Sequence, residues 1–470
     1  MQDLIIENGR VVDWFSDTDA VTDISVKNGV ITSVGKTSEA AKRRIDATGL
    51  LVVPGVIDSH MHASGWLARP EKSFKMLALA GVTTAMEMAG PLEEVKRGMH
   101  DFGSGITVGC LEMIRPGWNV GSVSPDDSEL KRVIDDALSR GAFGVKLLGG
   151  HYPLTPETEG RLIKLCDETG TYLGIHAGST EHGSNIEGVK ELFEAAAGRP
   201  FHLAHANAYC RGNIAPVADE IALMTRLLNE HPEVDSESYL SPINCCSGKC
   251  IDGVPESGVT RGCLASRGYP ATAGGLERAI KAGFARVHHE TDDAVVLAEP
   301  DLGLKLWKER GGDISVSFTV NPPISSFTFA IEKRASGHFL CDSLCTDGGG
   351  IPRNVIIENG LCLVRFGAIT LKEFVFKSSA SAAALLGLKN KGKLVPGADA
   401  DITVIDFYKQ RPVHAFSMGR PTLLNGRAAG TGGTLLTTPK GAKAAKDAGL
   451  GVLTADMDAL FTRRLNRFQH

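Results

Sequence analysis

No stretch of this sequence approaches the roughly 18 consecutive apolar residues of a membrane span, so none is expected. Long runs of one charge sign are missing too. Fifty basic and fifty-five acidic residues are mixed along the chain for a formal net charge of −5. That excludes the basic face that nucleic acid or an anionic membrane surface selects. The opening Met1-Gln2-Asp3-Leu4-Ile5-Ile6 has an acid where a secretory leader needs a basic stretch, and the apolar segment of a leader does not follow. The ten cysteines fall at irregular spacings without a zinc pattern, so reduced thiols are expected rather than a disulfide framework. These absences predict a cytoplasmic protein whose partner is a small molecule, with neither nucleic acid nor membrane involved.

What is present is an ordinary globular balance of 43% hydrophobic and 22% charged residues over 470 positions. That length suits two or three domains, or one large barrel with a small satellite. The first fifty residues read as short strands separated by Asn8-Gly9 and Asn28-Gly29, both hairpin signals. More strands return far downstream, at Ala400 to Ile405 and Thr422 to Gly426. One small β-sandwich-like domain built from both chain ends, residues 1–52 and 395–430, is therefore expected.

Between them, residues 53–394 alternate short apolar runs with helical patterns at Leu130 to Ser139, Glu157 to Thr169 and Asn185 to Ala197. Parallel strands with crossover helices follow from that rhythm, and its persistence predicts an α/β fold of the (β/α)8 TIM-barrel type. The rhythm breaks at about 207–318, which reads as a long insert of the kind that forms lids or binding loops. Residues 431–470 read as a peripheral segment of loop and one or two helices.

Strand geometry makes His60-Met61-His62 informative, because residues i and i+2 project to the same side. Two imidazoles there can form half of a divalent metal site. Alone, the pair reads as two loop histidines. His176, His205 and Asp347 each also end a strand-like run before a glycine or loop, the rim where barrel enzymes place their chemistry. Lys146 occupies the same kind of position. By itself it reads equally as a snorkelling lysine or a reactive one. Beside four histidines and an aspartate, a buried neutral amine that has taken up carbon dioxide as an anionic carbamate is favoured.

The order His-x-His, Lys, His, His, Asp on successive strands resembles the amidohydrolase superfamily, and within it the hydantoinase/dihydroorotase-like branch of cyclic amidohydrolases. Val53-Pro54-Gly55-Val56-Ile57-Asp58 and Lys391-Gly392-Lys393-Leu394-Val395-Pro396-Gly397-Ala398-Asp399-Ala400-Asp401 resemble its flanking segments, and the similarity extends to about Gly426. The resemblance implies two divalent metal ions. His60, His62 and Asp347 would hold the more buried one, His176 and His205 the more exposed one, with N6-carboxylated Lys146 and a hydroxide between them. Zinc suits the donor set best, with manganese or iron open. Asp347 would move the proton from water to the leaving nitrogen. Relatives of this kind are dimers or tetramers, which makes a homo-oligomer the expectation.

Weaker candidates surround this set. Tyr152 lies six residues after Lys146, near where the branch keeps a tyrosine for the tetrahedral intermediate, and His151 is one residue nearer. Asn207 and Arg353 are candidates for contact with a polar or anionic substrate. His182, His288 and His289 have no ligand-like context, and His202 faces away from His205 on a regular strand. Cys245, Cys246 and Cys250 read as buried or loop thiols rather than a second metal site. The implied reaction is hydrolysis of a C–N amide bond in a hydantoin-, dihydropyrimidine- or lactam-like ring. N-acyl-amino-acid deacylation and amidine deamination are the alternatives, with a non-catalytic hydantoinase-like scaffold further off.

Overall fold

The structure is a computed structural model and describes residues 1–65, 68–458 and 460. Eight parallel strands form the central ring: Val56–His62, Val82–Glu87, Ser104–Ile114, Gly144–Leu148, Tyr172–His176, His202–Leu203, Asp235–Tyr239 and Ser343–Cys345. Each pairs with its chain neighbour, and Gly348–Gly349 returns the eighth strand to the first. This is a (β/α)8 barrel, as the strand–helix alternation predicts.

The helices obey their sequence pattern. In Asp127–Arg140, Leu130, Val133, Ile134, Ala137 and Leu138 are buried, a three-and-four spacing that keeps one face against the barrel. The Asp126 side chain accepts from the Glu129 N–H, and Gly141 ends the helix in the left-handed conformation. Pro156–Glu168 and Ile186–Ala196 fall where the periodicity puts them.

A nine-stranded sheet combines strands from both chain ends, and Leu51–Pro54 pairs antiparallel with Ile402–Asp406 at its centre. The turn at Asn28-Gly29, with φ of 52° and 79°, joins Thr18–Lys27 to Val30–Val34 as a hairpin. Asn8-Gly9 does not. It is a bulge inside the continuous strand Gln2–Asp13. A side chain at Gly9 would run into Val52, so glycine serves close packing there rather than a turn. Buried Lys391 binds Asp401 and, at 3.4 Å, Asp399, while Asp401 also accepts from the Met418 N–H. These bonds fasten the returning segment to the sheet.

The insertion begins later than the sequence predicts. Asp235–Tyr239 is itself the seventh barrel strand, and the extra segment lies between it and the eighth. Its four-stranded antiparallel sheet runs in the order Ile243–Ser247, Ser315–Thr319, Ala285–Glu290, Val295–Leu297. Asp-Ser-Glu-Ser-Tyr carries no apolar run, which hid it from a search for hydrophobic periodicity, although all five residues are buried. After Gly430 the chain also differs from expectation. Gly432–Thr437 pairs with the N-terminal half of Ser104–Ile114, and Gly451–Thr454 pairs with it in turn. Residues 459 and 461–470 of that segment lie outside the described residues.

Candidate metal centre

All six side chains singled out for metal binding come from the C-terminal rim of the barrel. His60 and His62 end the first strand, Lys146 lies in the fourth, His176 ends the fifth, His205 follows the sixth and Asp347 follows the eighth. His62 Nε2 lies 3.0 Å and His60 Nε2 3.5 Å from Asp347 Oδ1. One donor atom each of His60, His62 and Asp347 lies within 4.8 Å of the others. His205 Nε2 lies 3.1 Å from His176 Nδ1, and the His60 and His205 rings stack at 5.1 Å. His205 and Asp347 both adopt left-handed backbone angles, φ 38° and 49°. That conformation costs a residue with a side chain about 1 kcal/mol or more. Here it turns both side chains off their strand ends into one place.

The electrostatics suit a cation. Burial drives His176 and His205 well below the ordinary imidazole range, and His60 down to about 4, against the pull of Glu237. Neutral imidazoles present lone pairs, the form a metal needs. His62 behaves differently. Burial opposes its charge, but hydrogen bonds to Asp347 and Glu87 outweigh that and raise it to about 9. Asp347 stays well below the usual carboxylate range despite burial, chiefly because of Arg353.

Lys146 is fully buried, and burial lowers its amine to about 8. Its one hydrogen-bond contact among the described residues is the Met88 thioether, 3.9 Å away, while Glu237 and Asp347 act on it through their charge. Gly174 sits opposite it in the next strand, and a side chain at Gly174 would meet Leu111, Met88 and the Lys146 stem. The donor set therefore fits divalent metal. His60 Nε2 is buried without a hydrogen-bond partner, which is costly unless something else binds there.

Two carboxylates missed by sequence reasoning orient the histidines. Glu237 Oε1 lies 2.5 Å from His60 Nδ1, and its Oε2 lies 3.3 Å from His202 Nε2. Tyr172 bonds the other nitrogen of His202. Glu87 Oε1 lies 3.1 Å from His62 Nδ1, and its Oε2 accepts from the Ala63 N–H. His202 thus joins the site through Glu237 instead of turning away from it. A carboxylate on the far nitrogen fixes tautomer and ring angle. Glu237→Gln is expected to lower metal affinity by about 10- to 100-fold, measured by competition with a chromogenic chelator. An unchanged affinity would remove Glu237 from that role.

The weaker candidates separate. His151 lines the cavity beside His176, with ring centroids 5.8 Å apart. Tyr152 instead carries Arg115 over its ring at 4.3 Å. Asn207 is fully buried, accepting from the Tyr239 N–H and donating to Ser326, so it braces the seventh strand. Arg353 bonds Asp347 Oδ2 at 2.6 Å and the Ile243 carbonyl at 3.0 Å. It holds the aspartate and is not among the residues lining the cavity. His182 pairs with Glu191, and His288 donates or accepts at Ser317 within the insertion. Cys246 packs in the insertion core, and Cys245 lines the cavity.

The site opens into a cavity of about 720 Å³ between the barrel rim and the insertion. The amidohydrolase family profile matches residues 51–430. The chain belongs to the amidohydrolase family. It is a hydrolase of carbon–nitrogen bonds. This amidohydrolase is 24% identical to a dihydroorotase of Geobacter metallireducens over 442 residues, 86% of this chain and 89% of that protein. It is 43% identical to an adenine deaminase of Listeria welshimeri over 82 residues, 17% of this chain and only 14% of that protein. Among solved structures, a D-aminoacylase superposes with a TM-score of 0.64 at 15% identity, over 93% of this chain and 100% of that one. A D-hydantoinase does so with a TM-score of 0.58 at 18% identity, over 94% and 99%. These two likenesses establish the fold.

Proposed function

We propose that this amidohydrolase opens a C–N bond in a cyclic amide or ureide of the hydantoin, dihydropyrimidine or lactam kind. The observation that carries the reading is the convergence of four imidazoles, a buried lysine and Asp347 at one place on the barrel, with His176, His205 and Asp347 lining a substrate-sized cavity. His60, His62 and Asp347 would hold one divalent ion, His176 and His205 a second, and Lys146 as its N6-carbamate would be shared by both. Zinc matches the imidazole and carboxylate donors best. When bound, such ions activate water at neutral pH and polarise a carbonyl.

The chain's own groups do the rest. Arg353 pins Asp347 Oδ2 and leaves Oδ1 facing the two histidines. That carboxylate can take a proton from the attacking water and deliver it to the departing nitrogen. Glu237 and Glu87 keep the imidazoles of His60 and His62 aimed, so little reorganisation accompanies the reaction. His151 is placed to contact the substrate from the cavity wall. A homo-oligomeric assembly belongs to the same proposal.

N-acyl-amino-acid deacylation is the second reading, favoured by the D-aminoacylase superposition over that protein's whole length. The test is a panel assayed with metal-loaded protein: hydantoin, dihydrouracil, a lactam, N-acetyl amino acids and adenine. Ring opening of a ureide or lactam is expected. Hydrolysis confined to N-acetyl amino acids would select the second reading, and ammonia release from adenine would overturn both.

A further inference from the structure

The charge of the cavity wall is lopsided. Among the described residues lining it, Asp347 is the one carboxylate, and Arg353 and His62 already hold it. Two cations, Arg211 and Arg267, line the same space. Arg211 is half-buried just beyond His205. Its Nε donates to Asn321 Oδ1 at 2.8 Å, and its Nη2 donates to Asn244 Oδ1 at 3.1 Å and to the Tyr239 hydroxyl at 3.3 Å. Asn321 is itself fixed, donating to the carbonyls of Ser241 and Ile243 at 3.2 and 2.9 Å.

Every one of these acceptors is neutral. Among the described residues no carboxylate lies within ion-pair distance of Arg211, and its Nη1 has no hydrogen-bond partner. A guanidinium removed from much of its water ordinarily meets a carboxylate or phosphate. Three neutral acceptors, from the seventh strand and from two segments of the insertion, aim this one without neutralising it.

We propose that Arg211 is the anion-recognition residue of the cavity, and that the substrate carries a carboxylate that accepts charge-assisted hydrogen bonds from Nη1. Arg267, at the end of the insertion helix Gly258–Ala265, adds a second positive charge to the same space. The preferred substrate within that class is then an acidic amide or ureide. The insertion thus defines specificity, because it supplies Asn244, Asn321 and Arg267. This inference rests on the hydrolase reading of the neighbouring site.

The test uses the metal-loaded full chain and a matched pair of probes, hydantoin-5-acetic acid and its primary amide. Dissociation constants by calorimetry and kcat/KM are measured for both. The wild type is expected to prefer the acid by about 10- to 100-fold, mostly through binding and KM. Arg211→Gln should bring that ratio close to one, while Arg211→Lys should retain part of it. A residue that merely clamps the insertion to the barrel would not move the ratio. No preference in the wild type, no binding of the acid, or an unchanged ratio in Arg211→Gln would each overturn the proposal. Acid-selective binding without turnover of either probe would contradict the hydrolase reading and leave the carboxylate site standing. Turnover of both without preference would do the reverse.

Discussion

Asp347→Asn is expected to lower kcat/KM by about 10³- to 10⁴-fold, the span that a positioned acid–base group contributes. The substitution preserves shape and removes the charge and the basic oxygen. The surroundings tolerate it, because an amide oxygen still accepts from Arg353 Nη2. Arg353 also keeps its bonds to the carbonyls of residue 347 and Ile243. The barrel core lies below the rim and does not depend on the carboxylate. Circular dichroism should therefore show a folded protein, while steady-state assays show the loss. Turnover near the wild-type value would mean that Asp347 does not move the proton.

Lys146→Ala is the second large effect. It is expected to cost several kcal/mol of transition-state stabilisation, about 1000-fold or more in rate, together with bound metal. The physical reason lies in the surroundings of the amine. It is fully buried, pushed down to about 8 by that burial, and its hydrogen-bond contact among the described residues is a thioether. An ammonium there would be nearly unsolvated and close to the same place as a metal cation, an unfavourable arrangement. A carbamate reverses the sign of the charge. Lys146→Met preserves the packing and should lose metal as fully as alanine does, which separates chemistry from a cavity effect. Bicarbonate with a short carboxylic acid is expected to return part of the activity to Lys146→Ala by filling the vacated position. Full metal content in both variants would contradict the carbamate assignment.

Much of the rim could be read from the sequence, for a specific reason. His60, His62, His176 and Asp347 each end an apolar run, so strand periodicity and chemistry point to the same positions. His205 was legible in the same way, although its left-handed backbone was not. The orienting carboxylates were hidden by the opposite circumstance. Glu237 sits in Asp-Ser-Glu-Ser-Tyr, whose buried polar residues find their partners across the barrel rather than along the chain. Glu87 closes the second barrel strand, Val82–Glu87, and its partner His62 lies on the strand before it. Arg353 and Asn207 were legible as polar residues near the site but not as braces, because their partners, Ile243 and Tyr239, are remote in sequence. The insertion's start was misplaced for the same reason that concealed Glu237.

On the proposed function, hydrolysis depends on metal held by this cluster. The most direct test of that dependence is to strip the wild-type protein with a chelator, return zinc in measured steps under bicarbonate, and follow ring opening of the best cyclic substrate against metal bound per chain. No turnover is expected without metal, and the rate should rise and saturate at about two ions per chain. Full activity in the stripped protein, or zinc binding that leaves the rate at zero, would contradict that dependence.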